Sequence, residues 1–427
     1  MLLAIVVATA VILLVLGFEM LLVLGVPALM VKEFFYGTLP DPVAVQKIVG
    51  GINHSTLLAI PFFILAAELM GGGQISARLT GMASAFLGHF RGGPGYTTIG
   101  GSLAFGSVSG SAPATVAAMG RMVYPDLRAK GFSDKFSLGL IASAAETSLL
   151  LPPSITLIIY GWMTGTSVAK LFIAGIVPGL VLALSFAILV AIEARRNGIE
   201  GGERTSWHER LRAVSRATWA LGMPLIILGG IYTGYFTPTE AAAVSVVYAI
   251  FVETVIFRSL NLRKLIDITE RAALSTAIIF ILLALGGLLS YFVTLAQVPS
   301  HILTFIETVN AGPIVFLVII NVVFLVVGMF VDPNSALLIL VPPLYPVAMA
   351  LGIDPVHFGV IVTLNITIGM ITPPFGLDLF VAASTLSKPV MVIISGIGPF
   401  IAANLATLLV ITYVPPVSTF LPNLLVG

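Results

Sequence analysis

The 427-residue chain has no cysteine, which excludes disulfides and thiolate metal sites. It is also short of charge. Only 9% of its residues are Asp, Glu, Lys or Arg, against roughly 25% in soluble domains, and the formal net charge is +1. A surface so poor in charge faces lipid. The basic residues fall in short clusters between apolar runs and form no continuous basic face, so no nucleic-acid partner is expected. There is no Gly-rich phosphate loop with a Lys, so this chain is not expected to use ATP. Its five histidines are scattered, with no pair at metal-ligand spacing. No Lys or Arg precedes Lys32. The apolar stretch from Met1 to Met30 therefore lacks the basic start of a cleaved signal and reads as a first membrane span.

Hydrophobic residues are abundant, at 58%, and the mean hydropathy is +1.10. A bilayer core needs about 20 apolar residues per helix. Full crossings are expected over 3–30, 51–72, 136–165, 168–193, 217–234, 237–257, 272–297, 357–386 and 390–416. Two further apolar segments, 93–124 and 313–349, are interrupted near their middles. The expected fold is an all-α polytopic membrane protein.

Lys and Arg set the orientation, because cytoplasmic loops are enriched in them. Three basic clusters occur: Arg121 to Lys135, Arg195 to Arg216, and Arg258 to Arg271. Two spans separate each cluster from the next, so all three are expected in the cytoplasm. The stretches 298–312 and 350–357 have no Lys or Arg and are expected outside.

A shift of 221 positions superposes special residues without a gap. Tyr124-Pro125 meets Tyr345-Pro346, Gly131 meets Gly352, and Pro152-Pro153 meets Pro373-Pro374. Gly175, Ile176 and Pro178 meet Gly396, Ile397 and Pro399. The charge argument gives the copies opposite orientation. Inverted repeats with broken helices are a signature of secondary transporters.

Proline removes a backbone donor and clashes with the preceding turn. The two Pro-Pro pairs should break both of their helices at membrane depth, where freed carbonyls are tolerated only if they line a cavity or bind something. The interrupted segments should supply re-entrant hairpins. The tip of the first is small and hydroxyl-rich, with Ser107, Ser109 and Ser111. The tip of the second carries Asp332, Asn334 and Ser335, and in register Ser111 pairs with Asp332. An ionisable group at membrane depth marks a functional site by default, which singles out Asp332. Two more acids, Glu146 and Asp378, flank the Pro-Pro pairs without a basic residue nearby in sequence. Each is a candidate to bind a cation, to accept a proton or to stay neutral. Glu68 and Glu240, near span ends, read as caps or interfacial groups.

Six segments, in order and at matching spacing, resemble the large membrane subunit of tripartite ATP-independent periplasmic (TRAP) transporters. They are Pro61 to Met70 (PFFILAAELM), Gly106 to Ser111 (GSVSGS), Leu151 to Ser154 (LPPS), Tyr235 to Ala242 (YFTPTEAA), Gly352 to Gly359 (GIDPVHFG) and Thr372 to Leu377 (TPPFGL). The likeness covers nearly the whole chain. It implies a bacterial inner-membrane protein with an elevator mechanism and sodium coupling. It also implies a small four-helix membrane subunit as partner, and a periplasmic binding protein that delivers a small organic acid. It implies that hairpin tips and broken helices hold sodium. Carried over by motif, the candidates are Ser107, Ser109, Ser111, Pro152, Asp332, Asn334, Thr372 and Gly376, with the sodium ligands among Ser107, Ser109, Asp332, Asn334 and Thr372. No cofactor other than sodium is implied. The chain departs from the family pattern at Ala145-Glu146-Thr147-Ser148, where relatives are Gly- or Thr-rich, and at Asp378, where they usually have Asn. Both departures add acidity to the expected site.

The expected organisation is scaffold helices and an arm over 1–92, and a first transport repeat over 93–193. A cytoplasmic linker, further scaffold helices and a second arm follow over 194–312, and a second transport repeat over 313–427. A stand-alone sodium–carboxylate elevator is the alternative. An intramembrane enzyme would need a nucleophile with a base, or paired metal ligands, and the sequence offers neither. A channel would need no inverted repeat.

Overall fold

The computed structural model describes residues 2–309 and 311–425, and every regular element in them is helical. Residues 1, 310, 426 and 427 of the expected segments lie outside the described residues.

The expected first span, 3–30, is instead two helices, α1 (Leu2–Val15) and α2 (Met20–Phe35), packed on one another. Gly17 takes a left-handed φ of 77°, which turns the chain between them. At 1.5 Å per residue, the 14 residues of α1 reach only about 21 Å, too short for a full crossing. Then come α3 (Asp41–Gly50), α4 (Ala59–Gly72) and α5 (Ile75–Leu87). The first hairpin is α6 (Gly93–Ser109) and α7 (Ala112–Ala129). The first broken helix is α8 (Asp134–Ala145), α9 (Thr147–Leu150) and α10 (Ile155–Thr164), followed by α11 (Val168–Arg196). Next are α12 (Trp207–Tyr232), α13 (Pro238–Phe251), α14 (Leu262–Leu295) and α15 (Val298–Thr308). The second hairpin is α16 (Pro313–Gly328) and α17 (Pro333–Ala350), and the second broken helix α18 (Pro355–Gly369) and α19 (Leu377–Leu386). The chain closes with α20 (Val390–Tyr413) and α21 (Pro416–Leu425). Among the described residues, eight helical stretches are long and apolar enough to cross a membrane.

The 221-residue repeat is visible in the helix bounds. Shifted by 221, the range of α7 lands on 333–350, the bounds of α17, and the start of α8 lands on Pro355, the start of α18. The caps follow the same register. Ser111 caps α7 and Asp332 caps α17, while Ser133 caps α8 and Asp354 caps α18. Each accepts backbone N–H groups that a helix start leaves unpaired. Gly131 and Gly352 both take left-handed φ, 93° and 75°, just beyond α7 and α17. Helices α12 and α13 open on capping boxes, Ser206 with Glu209 and Thr237 with Glu240. Glu240 is thus a cap, as expected.

Two packing groups position the site. In one, α4 packs against α13 and α14, and α14 also runs along α2 and α3. In the other, the broken helices are buried among the hairpins, α11 and α20. The repeats interlock there, because α10 packs on α17 of the second repeat and α19 packs on α7 of the first.

Candidate functional site

Each hairpin tip rests on the break of its own repeat. In the first, α6 ends at Gly110 with φ 58°, and a Cβ there would overlap the Pro153 carbonyl oxygen and stand 3.4 Å from Ser154 Cα. Only a residue without a side chain allows that approach. In the second, a Cβ on Gly328 at the end of α16 would stand 3.2 Å from Gly369 Cα at the end of α18. The chain is non-helical from Leu151 to Ser154, and helix α18 gives way to turns after Gly369. The first helix loosens earlier than its prolines, at Glu146 between α8 and α9.

The tips and breaks enclose a cavity of about 210 Å³. Its wall takes Ser109 to Ala114 in part from the first tip and Asp332 to Asn334 from the second. The breaks add Leu149, Ile155, Thr156, Met370 and Leu377. The opposite wall comes from Ile64, Ala67 and Glu68 of α4 and from Ser275 and Ile279 of α14. The cavity therefore lies between the two packing groups. The first turns of α7, α10, α17 and α19 all reach it. A helix N-terminus carries roughly half a positive charge, so four of them make an anion-attracting field without a basic side chain. Ser109 at the end of α6, Leu149 near the end of α9 and Met370 just beyond α18 reach the same place, where helix C-termini have the polarity that suits a cation.

The structure brings Ser109, Ser111, Asp332 and Asn334 together in this wall. Ser109 Oγ lies 3.0 Å from Thr115 Oγ1, and Ser111 Oγ accepts from Ala114 N at 3.4 Å. Asp332 Oδ1 accepts from the N–H groups of Asn334 and Ser335, at 3.1 and 3.2 Å. Asn334 Oδ1 is buried with no donor, an acceptor open to a cation. Ser107 and Thr372 stand outside the lining and donate to carbonyls of their own segments, Ala104 and Ile368. Gly376 precedes α19 without a side-chain cap, and Pro152 is buried in the first break.

Glu146 and Asp378 are fully buried and lie outside the cavity lining. Glu146 Oε2 accepts from Asn404 Nδ2 of α20 at 2.8 Å. Among the described residues, Glu146 Oε1, Asn404 Oδ1 and both Asp378 carboxylate oxygens have no hydrogen-bond partner. Buried carboxyls without a basic partner are tolerable only when a cation or protons neutralise them.

The sequence reading of Glu68 as a cap or interfacial group did not anticipate its place in the cavity wall. Glu68 faces the cavity and pairs with Arg271 of α14 at 3.6 Å. Sequence reasoning also missed Asn404. An amide in the middle of the apolar run of α20 was the available signal, since such a group needs a partner.

The family model described as the DctM component of tripartite ATP-independent periplasmic transporters matches residues 2–417. The chain is 42% identical to the ectoine TRAP transporter large permease protein TeaC of Halomonas elongata, over 98% of this chain and 99% of that protein. It is 40% identical to the C4-dicarboxylate TRAP transporter large permease protein DctM of Pseudomonas aeruginosa, over 87% of each. Its fold is similar to the crystal structure of the Alcanivorax borkumensis YdaH transporter, at a TM-score of 0.60 and 14% identity, covering 86% of each chain. With a match across almost its whole length, the chain belongs to the TRAP transporter family as a large permease subunit.

Proposed function

We propose that this permease subunit drives sodium-coupled uptake of a small organic acid by an elevator movement. The observation that carries the proposal is the cavity where four helix N-termini meet carbonyl ends and an unpaired buried amide oxygen. The protein sits in the inner membrane and works with a periplasmic binding protein and a small membrane subunit. The small subunit is proposed to have four helices. Sodium would be held by oxygens among Ser107, Ser109, Asp332, Asn334 and Thr372, and would supply the positive charge that a carboxylate needs there. Residues 93–193 and 313–427 would travel as the transport unit against scaffold helices from 1–92 and 194–312. The location of the cavity between the packing groups supports that division.

The solute is proposed to be a dicarboxylate or a related carboxylate. A second reading has one supporting observation. The cavity lining includes two acids, Glu68 and Asp332, and no Lys, Arg or His. That favours a solute with a cationic group beside its carboxylate, and the relatives at 42% identity are named for ectoine. Uptake by the reconstituted complex, with dicarboxylates and ectoine under a set ion gradient, tests both. Sodium-dependent uptake of either supports the proposal and selects the solute. Full uptake without sodium, driven by ATP alone, refutes the coupling.

A further inference from the structure

The end of the bundle that carries the basic clusters has a hollow of about 540 Å³, lined by Leu87, Phe90, Arg91, Tyr96, Ala191 and Arg195. It forms where α5 ends, α6 begins and α11 finishes. Two guanidinium groups, a phenol and an apolar wall share it, with no carboxylate in the lining. Among the described residues, neither Arg91 nor Arg195 takes part in an ion pair. The Arg195 charge reaches Tyr96, and the Phe90 ring stands edge-on to the Tyr96 ring at 6.4 Å. Phe90 is itself exposed. Between Lys170 in its first turn and Glu193 in its last, helix α11 has no charged residue, and Arg195 and Arg196 follow Glu193 at its end. The hollow therefore sits where hydrocarbon gives way to headgroups.

We propose that this hollow binds the headgroup phosphate of an anionic phospholipid. Arg91 and Arg195 hold the phosphate oxygens, and the Tyr96 hydroxyl donates a further hydrogen bond. Leu87, Phe90 and Ala191 cover the glycerol and the first acyl carbons. Guanidinium is suited to phosphate because its planar fork donates to two oxygens at once. Basic hollows between membrane helices on this side recognise lipid headgroups by this chemistry. The apolar half of the lining selects lipid over free phosphate, which would leave that wall bare. A neighbouring hollow holds Arg78, Arg212 and Arg216 but also Glu209, so its positive charge is already part-neutralised. Both linings carry the same net positive charge, and the Arg91 hollow is the better fit because no carboxylate stands in it to repel a phosphate and Phe90 and Leu87 supply an apolar wall. A lipid seated there would join the end of α5 to the starts and ends of α6 and α11.

Native mass spectrometry of the purified full chain, titrated with phosphatidylglycerol, tests the proposal. Each basic residue near a membrane surface contributes roughly fivefold, so Arg91→Gln with Arg195→Gln should weaken retention about thirtyfold. The Arg212→Gln, Arg216→Gln protein should retain phosphatidylglycerol like wild type. Arg91→Lys with Arg195→Lys, which keeps charge and loses the fork, should fall between, and it serves if the glutamine protein does not fold. Phosphatidylglycerol should also raise the thermal unfolding temperature of wild type, while phosphatidylcholine and inorganic phosphate should not. Equal retention by wild type and both Arg91/Arg195 proteins overturns the proposal. So does equal stabilisation by inorganic phosphate, which would mean an anion site without a lipid.

Discussion

Gly110→Ala probes the contact that seats the first hairpin tip on the first break. Two effects add at this position. Its φ of 58° is left-handed, which costs a side-chain-bearing residue about 1–2 kcal/mol. The new methyl would also overlap the Pro153 carbonyl oxygen, with the carbonyl carbon 3.2 Å away. Overpacking of that kind costs about 1–3 kcal/mol. Together they predict a loss of about 2–5 kcal/mol, relieved in part by lifting the tip off the break. Ser109 and Ser111 flank this glycine and line the cavity, so the lift should disturb the site. Gly131→Ala is the control. Its φ is 93°, equally left-handed, but nothing lies within 4 Å of the added carbon. Only the first penalty applies there, about 1–2 kcal/mol. Thermal unfolding of each purified chain and solute uptake by each reconstituted complex should then diverge. Gly131→Ala should lose a little stability and keep its uptake, whereas Gly110→Ala should lose more stability and most of its uptake. If the two proteins lose uptake equally, or Gly110→Ala transports like wild type, the tip-on-break contact does not shape the site.

Asp332→Ser should raise the sodium needed for half-maximal uptake several-fold while leaving thermal stability nearly unchanged, because serine can cap α17 as Ser111 caps α7. Asp332→Ala should lose about 0.5–2 kcal/mol of stability as well, and an unchanged sodium requirement in both would remove Asp332 from the ion site. Glu146→Gln preserves an acceptor for Asn404 Nδ2 and removes the charge; it should also demand more sodium, and wild-type behaviour at every sodium concentration would mean the acid is structural and protonated. For topology, cysteines placed singly at Arg204 and Glu307 of this cysteine-free chain should label from opposite sides with an impermeant thiol reagent. Labelling from the same side would contradict the inverted repeat.

The parts of the fold that could be read in the sequence are those fixed by backbone chemistry. Proline and glycine leave marks that do not depend on distant neighbours, so the paired Pro-Pro breaks and the Gly131 and Gly352 turns stand where the 221-residue register puts them. The match of Ser111 with Asp332 has a local cause too, because both cap the same helix start. The turn between α1 and α2 was harder to read. It interrupts an apolar run with only Gly17 and Glu19 to mark it, and hydropathy alone cannot separate one long helix from two short ones packed together. Helix α5 is apolar on one face only and too short to span, so a search for crossings passed over it. Glu68 and Asn404 were illegible for another reason. Their meaning lies in partners far along the chain, Arg271 for one and Glu146 for the other.

On the function proposed above, the cavity also accounts for how a carboxylate would be held without a basic residue in its lining. Each repeat delivers one hairpin return helix and one second half of a broken helix, and these helices cross-pack, α10 on α17 and α19 on α7. Their first turns therefore converge, and the positive ends of four helices share one small volume. That field is weaker than an arginine, and the carboxylate of Asp332 opposes it, while Glu68 is paired with Arg271. Under the proposed sodium coupling, a bound cation would tip the balance, because it would cancel Asp332 and leave the helix ends free to act on the solute. In such a site the solute and the cation depend on each other for electrostatic reasons alone. An arginine placed there would hold a carboxylate solute whether or not a cation was bound, and coupling of the proposed kind would be lost.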